Sequence, residues 1–169
     1  ETVCGGITKN TTAKITIQHG LIYDKLLRRF GIGRAGQYLC AQKAALQKYR
    51  ELCSGMDCDF EEKDAYVYAL EEQRKLEQEL SAMERLGFHG DFVEHLPLPF
   101  PVAGAVRVHN QAQFHPLKFV CCLAKGLHIY EHTPVRELIG TTAVTDSGKV
   151  AAKAVIVATH FPFLNKHGR

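Results

Sequence analysis

Between Leu21 and Cys53 the apolar residues recur at intervals of three and four, broken once by Gly31, Gly33 and Gly36. This spacing predicts a short helix over about 21–30 and a longer one over about 35–53, with Leu39, Leu46, Tyr49, Leu52 and Cys53 on its apolar face and Ser54-Gly55 ending it. Residues 58–70 alternate and contain Tyr66-Val67-Tyr68, the pattern of one or two strands. Residues 71–87 form a charged amphipathic pattern, with an apolar stripe at Leu76, Leu80, Met83 and Leu86 and a stop at Gly87; its charges are expected on a solvated face. The three prolines of 92–101 exclude a central strand and predict a rigid surface connection, after which 104–110 alternates again as a strand. Pro116 suits the first position of a helix reaching about Lys125, closed by Gly126. Short strands are expected over 127–131, 134–139 and 141–145, then a turn at Asp146-Ser147-Gly148 and a strand over 149–158. The run Val155-Ile156-Val157-Ala158 reads as a strand buried on both faces, as in a parallel sheet. Residues 5–20, rich in Gly, Thr and Lys, show no period and suit a loop or extended segment lining a site.

The fold class is therefore α+β. A length of 169 residues with 46% hydrophobic content suffices for one large domain or two interleaved small ones. The 21 basic and 18 acidic residues are scattered and not gathered into a stripe, which argues against a nucleic-acid partner. No apolar run approaches the roughly 18 to 20 residues that span a bilayer, and no signal-peptide pattern opens the chain, so a cytoplasmic protein is expected. Six cysteines in that setting read as reduced thiols. Cys53 and Cys58 lack a second pair at zinc-site spacing, although a thiol or metal protein using them with nearby histidines stays open as a third reading. The chain opens on Glu1 without methionine and stops shortly after the last expected strand, so a piece of something longer is expected.

Gly31-Ile32-Gly33-Arg34-Ala35-Gly36 matches G-x-G-x-x-G letter for letter. That fingerprint works when a strand delivers a tight turn to a helix N-terminus, whose free N–H groups meet a pyrophosphate. Here a helical pattern precedes the glycines, with Arg28 and Arg29 in its last turn. They are read as a helix stop and a link to the next helix.

Three segments carry a family resemblance. Residues 8–20 (TKNTTAKITIQHG) followed by LIYDKL, residues 110–125 (NQAQFHPLKFVCCLAK), and residues 129–164, with IYEHTPVREL and KAVIVATHFPFL, resemble in this order the D-amino-acid-oxidase-like (DAO) family of FAD-dependent oxidoreductases, the glycine- and sarcosine-oxidase type. Some relatives of this type resemble proteins with an appended Rieske iron–sulfur domain, whose ligand pattern does not occur here. The resemblance implies that Thr11, Thr12, Lys14 and Thr16 pass close to the flavin ring and ribityl chain. A cation such as Lys14 near the N1 and O2 edge would stabilise the negative charge that builds there as hydride arrives. It also implies that the backbone at Val135 lies against the adenine, and that Ala158 and Thr159 end a strand near the pyrophosphate and ribitol. His160, where many flavoproteins have glycine, receives no catalytic role. His115 is read as a contact at the helix N-terminus and not as a base.

By the same resemblance, residues 1–34 and 114–169 would be a partial FAD-binding domain with a Rossmann-like layer, and 35–113 an interleaved piece of the substrate domain. The parent enzyme would oxidise a carbon–nitrogen bond of an amine or amino acid by hydride transfer to FAD. The strand, glycine loop and helix that hold the dinucleotide are not in this sequence, so the chain alone is expected to bind FAD weakly or not at all and to be inactive. Unpaired sheet edges would favour self-association. An alternative from another class is a non-catalytic α+β interaction module without its cofactor site, using 66–68 and 92–101 as its surfaces.

Overall fold

The computed structural model of the protein describes residues 2–159. Among the described residues two compact units emerge: 6–125, and 126–159 together with 2–5.

In the larger unit a 3-10 turn at Ile7–Asn10 leads to strand β1 (Lys14–Ile15), helix α1 (Tyr23–Cys53), β2 (Glu61–Ala69), α2 (Gln73–Arg85), β3 (Asp91–Val93), β4 (Gly104–Gln113) and α3 (Pro116–Ala124). The two predicted helices over 21–53 are one element with a break. Gly31 sits inside it at φ 73 and ψ 172, a left-handed setting that favours glycine, while Gly33 and Gly36 lie in the helix beyond. The glycine motif is thus helical on both sides, as its context predicted. Strand β4 is central and antiparallel to all its partners: β2 along one edge, β1 and β3 along the other. It runs three residues beyond the predicted end at Asn110, and Asp91–Val93, which overlaps the connection expected over 92–101, forms a short edge strand on it.

One face of this sheet holds the core. Val106 and Val108 of β4 pack with Leu76 and Met83 of α2 and with Tyr23 of α1, all essentially fully buried. Each such side chain contributes about 1.5–3 kcal/mol. The predicted α2 stripe holds at Leu76, Leu80, Met83 and Leu86. The expectation that all of its charges face water fails at Glu79, which is 0% exposed. Its position explains why. Ile22 caps α1 and offers no side-chain acceptor, so the first turn of α1 needs an acceptor from elsewhere. The Glu79 carboxylate supplies it, accepting from Tyr23 N at 2.9 Å and Asp24 N at 2.9 Å.

The opposite face is polar. His109 of β4 bridges two carboxylates, Nε2 to Asp91 at 2.7 Å and Nδ1 to Asp64 at 3.0 Å, while Arg107 also grips Asp91 at 2.7 Å. The hydrogen bond to Asp91, then that to Asp64, raises the His109 pKa, and Arg107 followed by His109 holds Asp91 below its usual value. A raised histidine pKa gives stability that is full below the unfolded value near 6.5 and is lost as pH rises through the folded one; the lowered Asp91 gives stability lost as pH falls through its own folded value. The bridge is therefore complete only between these two titrations. In an NMR titration the His109 ring should show a midpoint above that of free histidine, and Asp91→Asn should move it back down. An unshifted midpoint would contradict the bridge.

The smaller unit is an antiparallel meander of β5 (Val135–Ile139), β6 (Thr142–Thr145) and β7 (Lys149–Ala151). Arg136 and Asp146 form a two-pronged ion pair beside a register shift in β5. Two expectations are corrected. Residues 127–131 have no regular structure, and the strand expected over 149–158 stops at Ala151. Val155, Ile156 and Val157 are exposed, Ile156 at 91%. A strand buried on both faces needs neighbours on both edges and cover on both faces; among the described residues this apolar run has no strand partner. The whole is α+β, as expected, and all strand pairings among the described residues are antiparallel. No helix among the described residues is long and apolar enough to cross a membrane.

Candidate functional site

Ile15 of β1 points into the core and leaves its neighbours Lys14 and Thr16 outside it, as alternation requires. Two pairings fix this short strand: Lys14 opposite Gln113 and Ile15 opposite Ala112. Further along, Gln111 Oε1 accepts from Ile17 N at 2.8 Å, and Tyr23 donates its hydroxyl to Ile17 O at 2.5 Å. The Thr16 hydroxyl accepts from Gln18 N at 3.0 Å, closing a local turn.

Beside this strand lies a cavity of about 420 Å³, within the range of about 300–1,000 Å³ usual for small-molecule sites. Thr11, Lys14 and Thr16 line it from the strand side, Gln42 and Tyr49 from α1, and Phe119 from α3. Three of the four residues predicted near a flavin are thus brought together. Thr12 lines a neighbouring cavity of about 380 Å³ that shares Thr11. Tyr49, Phe114 and Phe119 pack against one another with ring centroids 5.3–5.6 Å apart. Their contribution has no local signal in the sequence, because 49 and 114 meet only through folding and Tyr49 stands there only as part of a helix stripe. His19 and Gln42 add a polar contact at 3.3 Å.

His115 is the N-cap of α3, with Nδ1 accepting from Lys118 N at 3.3 Å. The predicted helix contact is therefore present, and a ring nitrogen committed to that bond is not free to act as a base there. Behind Phe119 lie Cys53 and Cys58, both buried and both free thiols. Burial, reinforced by its hydrogen bond to Cys58, pushes the Cys53 thiol up to about 12. Such a thiol is not a nucleophile at neutral pH. Among the described residues, no group of three or more His, Cys, Asp or Glu side chains stands close enough to hold a metal ion.

In the smaller unit, Val135, Ala158 and Thr159 line one apolar cavity of about 370 Å³, together with Leu138 and Val155. Val135 sits on β5, whose other edge carries unpaired backbone groups among the described residues. Such an edge can offer N–H and C=O to a planar heterocycle. His160 lies outside the described residues. The donors fit two parts of a flavin dinucleotide: a cation beside an aromatic-walled cavity for a ring that gains negative charge, and an apolar cavity with a free strand edge for a base. A pyrophosphate cradle is not formed by Gly31 to Gly36, which are committed to α1.

Comparison with known proteins gives the family. The model of the FAD-dependent oxidoreductase family, DAO, matches residues 2–166. A protein of Bacillus subtilis (strain 168) named as the Rieske 2Fe-2S iron-sulfur protein YhfW is 35% identical over 179 residues, covering 98% of this chain and 35% of that protein. The chain thus spans about a third of the length of this curated relative. The crystal structure of glycine oxidase from Geobacillus kaustophilus is similar in fold, with a TM-score of 0.62 at 20% identity over 92% of this chain and 45% of that one.

Proposed function

Because the chain belongs to the FAD-dependent oxidoreductase family, we propose that it supplies part of the cofactor site of an enzyme that oxidises a carbon–nitrogen bond of a small amine or amino acid. The observation that carries this reading is the convergence of Thr11, Lys14 and Thr16 on one cavity. FAD, when bound, supplies the hydride acceptor. The chain's own residues have simpler duties. Lys14 places a positive charge where the ring becomes negative; Thr11, Thr12 and Thr16 orient ring and ribityl chain; Tyr49, Phe114 and Phe119 keep water from one wall of the cavity. Val135 offers its strand edge to the adenine, and Ala158 with Thr159 lies near the ribitol and pyrophosphate. Residues 1–34 and 114–169 serve the cofactor, and 35–113, apart from the cavity wall that Tyr49 gives, the substrate. The setting we propose is cytoplasmic.

We further propose that the 169-residue chain alone is inactive and holds FAD weakly. Purified, it should be colourless. Titrated with FAD, it should show amide shifts confined to 11–16 and to Val135, Ala158 and Thr159, and Lys14→Met should weaken that binding about two- to fivefold, the worth of an exposed charge pair. A tightly held yellow chromophore would refute the first claim, and shifts elsewhere would refute the site.

One observation favours a second reading. Tyr66, Tyr68 and Phe100 are all more than 40% exposed, with Tyr68 and Phe100 rings 5.8 Å apart, and the outer edge of β2 is unpaired among the described residues. This face suits a protein contact, including self-association through β2. Sedimentation at rising concentration tests it, since an unchanged monomer would exclude the self-contact.

A further inference from the structure

We propose that Glu79 of α2 is a positioning residue for the segment 14–18, holding Lys14 and Thr16 in place through Gln18. The assignment of a task to that segment rests on the cofactor reading given above; the mechanical link does not.

The geometry is specific. The Glu79 carboxylate has two oxygens and three donors: Oε1 accepts from Tyr23 N at 2.9 Å and from Gln18 Nε2 at 2.8 Å, and Oε2 accepts from Asp24 N at 2.9 Å. The two side chains are buried, with Glu79 0% and Gln18 3% exposed. One buried carboxylate, 55 to 61 residues further along the chain, therefore ties the start of α1 to the end of the extended segment just before it. A helix N-terminus is a favourable place for a carboxylate, because its free N–H groups and dipole both face it. The cap is made by the Tyr23 and Asp24 N–H groups, and the Gln18 bond is additional to it.

Gln18 points the same way. Its amide nitrogen donates to Glu79 and to Gly20 O at 2.6 Å, while its Oε1 is buried with no partner among the described residues. An unpaired buried acceptor is unfavourable, and an apolar residue would fill the place without it. A glutamine here makes sense if its two donations matter. They clamp residue 18 from one side while Gln111 and the Tyr23 hydroxyl clamp Ile17 from the other. Burial, then Tyr38 and Glu79, raises the Tyr23 pKa, so the phenol remains a donor to Ile17 O across the working pH range. Three side chains, one each from α1, α2 and β4, converge on two residues, although β1 itself has only two strand pairings. Such a short strand depends on these clamps for its rigidity.

The test is hydrogen exchange on the full chain without FAD, comparing three variants. Glu79→Gln keeps the volume but turns a donor towards Asp24 N. It should lower protection of the Ile15, Ile17 and Gln18 amides about 10- to 100-fold more than that of β4. Leu76→Ala, from the same helix and outside the polar network, should lower all elements in step. Gln18→Leu leaves the helix cap intact and should free 14–18 while sparing α1, which keeps the proposal testable if Glu79→Gln folds poorly. The proposal is overturned if neither Glu79→Gln nor Gln18→Leu loosens 14–18 beyond the rest. The cofactor reading fails separately: if FAD shifts none of these amides, or Lys14→Met leaves the titration unchanged, that reading falls while the exchange result stands.

Discussion

Replacing Glu79 by alanine is expected to lower the unfolding free energy of the 6–125 unit by about 3–5 kcal/mol, because three donors lose their shared acceptor at once. The size follows from what is left behind. Tyr23 N, Asp24 N and Gln18 Nε2 lose their carboxylate acceptor together. Each desolvated donor without a partner costs about 1–3 kcal/mol, and water entering the vacated space offsets part of the sum. Glu84→Ala, at an exposed position of the same helix, should stay within about 0.5 kcal/mol. Urea unfolding of both variants measures the contrast. Equal midpoints would mean that the buried carboxylate is dispensable.

Glu79 also shows where sequence reading stops. The α2 stripe was readable from Leu76, Leu80, Met83 and Leu86, and Glu79 lies among these positions, three residues after Leu76 and four before Met83. A charge at that place is a visible anomaly. Its resolution is not visible, because it depends on a helix start some fifty residues earlier whose cap, Ile22, cannot satisfy its own N–H groups. Helices were legible because their period is local. The glycine break was legible because a helical pattern on both sides of Gly31 forbids the strand that a phosphate loop requires. Strands were less so. The apolar run at 155–157 has strand composition, yet composition does not provide a neighbour to pair with, and the segment stays irregular. Conversely 91–93, beside three prolines, becomes a strand because β4 presents an open edge to it. For the candidate site, the strand-side residues came from the family resemblance, whereas the aromatic wall from α1 and α3 is a product of tertiary packing.

Gly104→Ala is the second large effect, expected at about 2–5 kcal/mol. Gly104 opens β4 at φ 136, outside the range that side chains tolerate, a strain of about 1–3 kcal/mol. A Cβ there would also stand 2.6 Å from Phe92 Cζ, 2.9 Å from its Cε2 and 3.3 Å from Val93 O. The half-buried ring packs against the core, so displacing it adds about 1–3 kcal/mol of overpacking. The two contributions separate by a double-mutant cycle. In a Phe92→Ala background the steric part vanishes and the backbone part remains, so Gly104→Ala should cost about half as much there. Full additivity would place the whole effect in the backbone. The damage should also be local in direction. Gly104 pairs with Ala69, and Ala105 with Val93, at one end of β4, while Lys14 and Ile15 pair with Gln113 and Ala112 at the other. Hydrogen exchange in Gly104→Ala should therefore accelerate first in β3 and the start of β4. The segment carrying Lys14, clamped by Gln111, Tyr23 and Glu79, should yield only with the unit as a whole.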